Sequence, residues 1–381
     1  MTVSDESFPC LRRTGGRRIL VLCPYPFDTN AGQRLKFEQY YDDWRVQGYE
    51  VVLSPFMDQA MWEIVFEPGH LAAKVVGTLK GYLRRLRDLF RLRSYDLVYT
   101  HMWVTPLGPP LFEWLVVRLA KRVVFDLEDS VLDKKSESEG HPNPLVRLLR
   151  GAGKARLLVR EADHVITSSP ELADRCRASN RRGASTYITS SIDADRFQPI
   201  NTYSNDHVPV IGWTGTFSSR PYLDLLRPVF LHLAKERRFK LRVIGNFDYE
   251  LPGIDLEVLR WSAAEEVDQL QGLDIGVYPL PLGDEAWVSG KSGLKAIQYM
   301  AFALPCVATA VGNTPRVVRD GETGLLVRSE KQWVAALKRL IDEPDLRRRL
   351  GHNARHDVLG RYAKTAVALS YRQVLDEALG A

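Results

Sequence analysis

Cysteine is scarce in this chain: four in 381 residues, at Cys10, Cys23, Cys176 and Cys306. They are scattered, with no CxxC and no Cys/His spacing, so neither a disulfide framework nor a zinc site is expected. A reducing cytoplasm is the default setting for such a chain. Long apolar runs are missing too. No stretch approaches the ~20 apolar residues that a membrane-spanning helix needs. The opening, MTVSDESFPCLRRTGG, has no apolar core of signal-peptide length, so no secretory leader is expected. An excess of one charge is also absent: 52 Lys and Arg stand against 47 Asp and Glu, a net +5. That is too little to imply nucleic acid as a partner. No internal repeat or low-complexity segment is present.

What is present is α/β grammar at a length that allows two sizeable cores. Residues 1–16 read as a polar lead-in. RRILVLCPYPF is a buried-type strand stopped by prolines, then come a loop with a helix start at Thr29–Arg34, the helix LKFEQYYDDWRVQ ending at Gly48, and the strand YEVVLSPF. Further strands end at His101, Asp129, Ser169 and Ser191, and residues 192–204 hold no clear element. A second alternation follows, with strands VPVIGWTG, FKLRVIG, IDLEVLRW, LDIGVYPL, LPCVATAV and GLLV, before a helical tail. Alternation of this kind predicts two parallel sheets.

One stretch, 287–327, concentrates the chemistry: WVSGKSGLKAIQYMAFALPCVATAVGNTPRVVRDGETGLLV. A helix is expected over 292–302. On it Lys295 and Gln298 share a face, and Lys291 precedes them at the mouth of the first turn. Leu294, Ile297 and Ala301 make the opposite, core-facing side. The helix start offers unpaired N–H groups and a positive dipole end, and Gly290 and Gly293 allow close approach of a ligand to the backbone. Donors, positive charge and little side-chain bulk suit a diphosphate. The alternative is a solvated lysine face beside two turn glycines.

The run GKSGLKAIQYMAFALPCVATAVGNTPRVVRDGETGLLV resembles the donor-binding segment of family-4 retaining glycosyltransferases, which have the GT-B fold. The resemblance extends over most of the chain from Arg17 on. It implies an α/β fold of two Rossmann-like domains facing across a cleft. The expected divisions are 1–16, a flexible lead-in; 17–195, an acceptor-binding domain; 200–360, a nucleotide-sugar domain; and 361–381, a helix returning to the first domain. Asp193, Phe197 and Pro199 match the family's hinge pattern. The resemblance implies sugar transfer from a nucleoside diphosphate donor of UDP or GDP type, with retention and without a metal. The acceptor is expected to be a glycan, a lipid-linked molecule or a small molecule, in polysaccharide biosynthesis or a similar pathway.

Residue by residue, Lys291 and Lys295 take the catalytic role of neutralising the departing diphosphate. The backbone at Gly290, Ser292, Gly293 and Leu294 contributes to the donor site, with Ser292 standing where cysteine is usual. Gly215, Thr216 and Arg220 correspond to the first donor-domain loop, although the arginine is not at the usual spacing. Arg260 and Trp261 fall where relatives read the nucleotide base. Gly32 is the candidate approach point in the first domain, and Arg34 starts the helix beside it. Many relatives carry two glutamates with seven residues between them; here those positions hold Gly290 and Gln298. Gln298 retains hydrogen-bonding capacity for a ribose. Gly290 has no side chain, so a donor-sugar contact is sought at Asp284, Glu285 or the backbone around Ser292. Because ligands bind at the carboxyl ends of parallel strands, His101, Asp126, Asp129 and Ser169 are acceptor-side candidates, with His101 and Asp129 as the proton acceptors. Against this, His101 reads equally as a strand cap and Asp129 as a helix cap.

Two basic segments stand apart, HLAAKVVGTLKGYLRRLRDLFRLR at 70–93 and LVRLLRGAGKARLLVR at 145–160. Leu79, Leu83, Leu86, Phe90 and Leu92 form an apolar stripe in the first. Such helices lie on anionic membrane surfaces, or are domain helices with a solvated basic face. The second reading is preferred, because the core also needs those apolar residues. Possible membrane-surface contact at the inner face of the cell membrane stays among the partner expectations. Two rival functions remain open: a non-catalytic GT-B partner subunit, and another GT-B enzyme such as a sugar-nucleotide epimerase or a phosphorylase.

Overall fold

The computed structural model describes residues 16–128, 153–199, 207–283 and 285–380. Among those residues there are two sheets of six strands each. The first contains β1 (Arg17–Cys23), β2 (Tyr49–Pro55), β3 (Leu97–His101), β4 (Val123–Leu127), β5 (His164–Thr167) and β6 (Ser185–Tyr187), in the order β2-β1-β3-β4-β5-β6. The second contains β7 (Val210–Thr214), β8 (Lys240–Gly245), β9 (Asp255–Arg260), β10 (Ile275–Tyr278), β11 (Cys306–Thr309) and β12 (Gly324–Val327), in the order β12-β11-β10-β7-β8-β9. Every ladder is parallel. The central strands are continuous apolar runs because both faces are covered, as parallel sheets require. Separate cores lie on the two faces of each sheet.

Strand order reverses between β1 and β3 and again between β7 and β10. Crossovers diverge at such a point, and a crevice opens beyond the carboxyl ends of the strands. The loops after β1 and β3 therefore serve one lobe, and those after β7 and β10 the other. The final helix, Lys364–Leu379, packs Val367, Tyr371, Val374 and Leu375 into the first sheet's core. Tyr49 Oη donates to Asp376, and the Lys364 amide donates to the Ile192 carbonyl at 2.8 Å.

Two local differences from expectation have clear causes. The lysine helix spans Leu294–Ala301, starting later than 292 because Gly293 has φ 79°, outside helical space. The basic segment is one helix, Leu71–Arg91, whose apolar stripe is not in the core. Leu79, Leu83, Leu86 and Phe90 are exposed, and of the five stripe residues only Leu92 is buried. The inward face is instead Gly77, Gly81, Arg85 and Asp88. Of the second basic segment, 145–152 lies outside the described residues, and Gly153–Glu161 is helical.

Candidate active site

The loop 289–293 sits at the junction of the two lobes. Ser168, just past β5, donates its hydroxyl to the Gly290 carbonyl at 2.7 Å. The same oxygen meets the Glu128 carbonyl just past β4. Lys291, on this loop, and Lys295, one residue into the helix after it, are half-buried. The Lys291 ammonium lies 4.3 Å from the centre of the Trp287 ring. That of Lys295 lies 5.5 Å from the centre of Trp213, a buried residue of β7. An aromatic face lies against each cation, a contact that stabilises an ammonium group without removing its charge. Trp287 is itself fixed, donating its indole N–H to Tyr222 Oη at 2.7 Å. Ser292 is buried, and its hydroxyl accepts from the Leu294 amide at 3.4 Å. Gly293 approaches Val317 so closely that a Cβ would stand 2.8 Å from Cγ2.

One turn further along this helix, Gln298 donates to Glu266 Oε1 at 3.0 Å. Glu266 Oε2 accepts from both Nη1 and Nη2 of Arg34 at 3.1 Å. Arg34 belongs to the first lobe, and its Nε pairs with Asp28 at 2.8 Å. Its guanidinium also lies over the Trp261 ring, 5.8 Å from the centre. Arg34 and Glu266 are 5% and 1% exposed, so the pair is a desolvated clasp between lobes rather than a surface ion pair. Glu266→Ala would leave the Gln298 amide without this partner and Arg34 with Asp28 alone. It is expected to cost about 1–3 kcal/mol in urea denaturation. Glu266→Gln should fall between wild type and alanine.

Across the seam, His101 ends β3. Its Nδ1 is 3.5 Å from Asp126 on β4, and its Nε2 is 3.8 Å from Glu128. Phe37 packs on the ring with centres 4.8 Å apart. Asp126 is fully buried, paired with the Lys36 ammonium and accepting from Tyr99 Oη. Burial alone would raise the Asp126 pKa; Lys36 and His101 override it and hold the group down at about 2. Carboxylates thus flank both ring nitrogens at ion-pair distance, and Nδ1 makes no hydrogen bond among the described residues. Gly32 packs directly over Glu128, where a Cβ would come within 2.7 Å of Oε2.

Other candidates are placed differently. The Gly215 amide donates to Ile244 O at 3.0 Å and the Thr216 amide to Ser219 Oγ at 3.1 Å, so both are already used within the protein. Arg220 lies over Phe247 and Tyr249, with Asp224 at 3.8 Å. Arg260 is exposed and pairs with Asp248, while its carbonyl accepts from Gln269. Ser169 caps the helix Pro170–Ser179. Asp129 and Asp284 lie outside the described residues, as does the side chain of Glu285. Lys36, Ser168 and Glu266 were not among the sequence candidates.

Two Rossmann-like lobes, each built on a six-stranded parallel sheet, are the GT-B architecture. The chain belongs to the glycosyl transferases group 1 family. A family model of that description matches residues 208–343, and one described as a glycosyl transferase 4-like domain matches 17–188. A relative from Thermobispora bispora, named D-inositol 3-phosphate glycosyltransferase, is 37% identical over 347 residues, covering 82% of this chain and 76% of that protein. A protein of the same name from Streptomyces griseus is matched over 66% of its length, just under two thirds. Among solved structures, sucrose-phosphate synthase from Thermosynechococcus elongatus superposes with a TM-score of 0.69 at 20% identity, covering 96% of this chain and 99% of that one. The HepE protein of Anabaena, in complex with UDP-glucose, gives a TM-score of 0.65 at 14% identity, covering 94% and 99%.

Proposed function

We propose that this protein is a retaining glycosyltransferase that moves a sugar from a nucleoside diphosphate carrier, UDP or GDP, to an acceptor hydroxyl. The observation that carries this reading is the pair Lys291 and Lys295, set against aromatic faces beside a helix N-terminus and next to the Gly290 carbonyl that meets the first lobe. The bond between the anomeric carbon and the diphosphate oxygen would break, its electron pair leaving on the diphosphate. Lys291, Lys295 and the backbone from Ser292 to Leu294 would stabilise that charge. The acceptor oxygen would attack from the same face, and its proton would pass to the departing phosphate oxygen. That route retains configuration. His101, flanked by Asp126 and Glu128, would bind a sugar hydroxyl from the first lobe.

On this reading, residues 17–195 receive the acceptor, 200–360 hold the donor, and 361–381 complete the first lobe. The HepE complex supports a UDP-sugar as donor. The name of the Thermobispora relative makes a phosphorylated small molecule one acceptor to try. Glycan and lipid-linked acceptors are the others. The protein would work in the cytoplasm.

A second reading is a non-catalytic GT-B subunit. It is favoured by Gly290 in place of a glutamate and by the commitment of Gln298 to Glu266. A thermal-shift panel of nucleoside diphosphates separates the two. At roughly 100-fold excess over Kd, binding contributes about 2.7 kcal/mol, a clear rise in Tm. One nucleotide producing that rise is the expected result, and none doing so favours the subunit. Release of free nucleoside diphosphate from the donor then distinguishes transfer from epimerisation.

A further inference from the structure

We propose that the outward face of the helix Leu71–Arg91 docks this protein on an anionic lipid bilayer. A surface helix of a globular protein normally turns its apolar stripe toward the core. Here the stripe points away. Val75, Val76, Leu79, Leu83, Leu86 and Phe90 recur at helical spacing on one side, and all are exposed, Leu83 by 65% and Phe90 by 82%. A contiguous apolar face of this length marks an interaction surface.

The orientation is fixed by the opposite side. A Cβ on Gly81 would stand 2.5 Å from the Phe56 ring, and one on Gly77 would stand 2.8 Å from Met61 Sδ. The helix therefore lies against the body with no room for larger side chains between. Buried Arg85 pins it. Its guanidinium donates to the carbonyls of Cys23, Ser54 and Val104 at 2.8–3.0 Å and pairs with Asp88 at 3.1 Å. Rotating the stripe inward would strip Arg85 of these partners.

Charge selects the occupant. Lys80, Arg87 and Arg91, all exposed, run along one flank of the stripe, and Arg93 follows the helix end. The only acidic residue between 70 and 94 is Asp88, which is buried beneath Arg85. A second copy presenting the same face would oppose cation to cation. An anionic bilayer instead supplies an apolar interior for the stripe and negative headgroups for the flank. Among the described residues no helix is long and apolar enough to cross a membrane, so the contact is peripheral. Cys23 ends β1 and Ser54 lies near the end of β2, so the inward side of the helix rests on the carboxyl edge of the first sheet. The docking does not depend on the transferase reading. Its consequence, that the acceptor is presented from the lipid surface, does.

Flotation of the full chain with phosphatidylcholine vesicles, with and without phosphatidylglycerol, tests the proposal. Binding is expected only with the anionic lipid and should fall as salt rises. Leu83→Glu combined with Phe90→Glu should weaken it by roughly tenfold per residue. Lys80→Gln, Arg87→Gln and Arg91→Gln together should abolish the preference for anionic lipid. These positions are exposed, so the variants should keep the wild-type Tm and the same nucleotide-induced shift. That shift also separates a failed docking surface from a failed donor site. Absence of binding to anionic vesicles, or equal binding to both compositions, overturns the proposal. So does a dimer in sedimentation that Leu83→Glu with Phe90→Glu dissociates, since that assigns the face to a second copy.

Discussion

Lys295→Ala is expected to lower the rate of nucleoside diphosphate release by about 10²–10³-fold, with little change in Tm. Lys295 is half-buried outside the apolar core, which Ala296, Ile297, Met300 and Ala301 help to fill. Removing its half-buried side chain therefore leaves packing intact. Its ammonium lies against Trp213 near the end of β7, at the switch point of the second sheet. There a leaving diphosphate would build negative charge in a site partly shielded from water, where a fixed cation is worth more than in bulk solvent. The effect should fall mainly on kcat, because the charge grows as the bond breaks. Lys295→Arg should recover part of the rate. Lys291→Ala should show a smaller loss, since the neighbouring lysine and helix N-terminus remain. An alanine variant at 295 with wild-type turnover would remove this residue from the reaction.

The parts of the molecule that the sequence made legible are those that depend on local pattern. Apolar runs located the strands, and helical spacing singled out Gln298, whose amide reaches the Glu266–Arg34 contact. Long-range pairing was not legible. Glu266 sits in EEVDQLQ, which reads as an ordinary solvated helix, yet it is buried against an arginine 232 residues earlier. Lys36 looks like a surface residue until the fold brings Asp126 to it. Helix 71–91 shows a different limit. Periodicity reveals that a face is apolar but not which way it points; here Gly77, Gly81 and Arg85 decide that through contacts with residues distant in sequence. Motif position misleads in one place. Gly215 and Thr216 occupy the expected turn, but Ser219 closes a capping box on Thr216 and consumes its amide.

Lys36→Met is expected to destabilise the first lobe by about 3–5 kcal/mol, because it leaves Asp126 buried without its ammonium. The pH dependence supplies the sharper reading. In the wild type, Asp126 has a folded pKa of about 2, below its ordinary value of 3.8. Folding therefore favours the ionised form. The stabilisation is complete above about pH 4 and drains away as pH falls toward about 2. Without Lys36, burial is opposed only by His101 and the Tyr99 hydroxyl, and the folded pKa should rise above the ordinary value. The sign then reverses: the protonated form is favoured by folding, and stability is lost as pH rises through the new pKa. Urea midpoints measured between pH 4 and 8 should thus fall with rising pH in Lys36→Met, while the wild type shows no such fall from this group. Adding Asp126→Asn should recover much of the loss near neutrality, since the amide carries no charge to strand. A single variant whose midpoint tracks wild type across this range would mean that the ammonium is not what keeps Asp126 ionised.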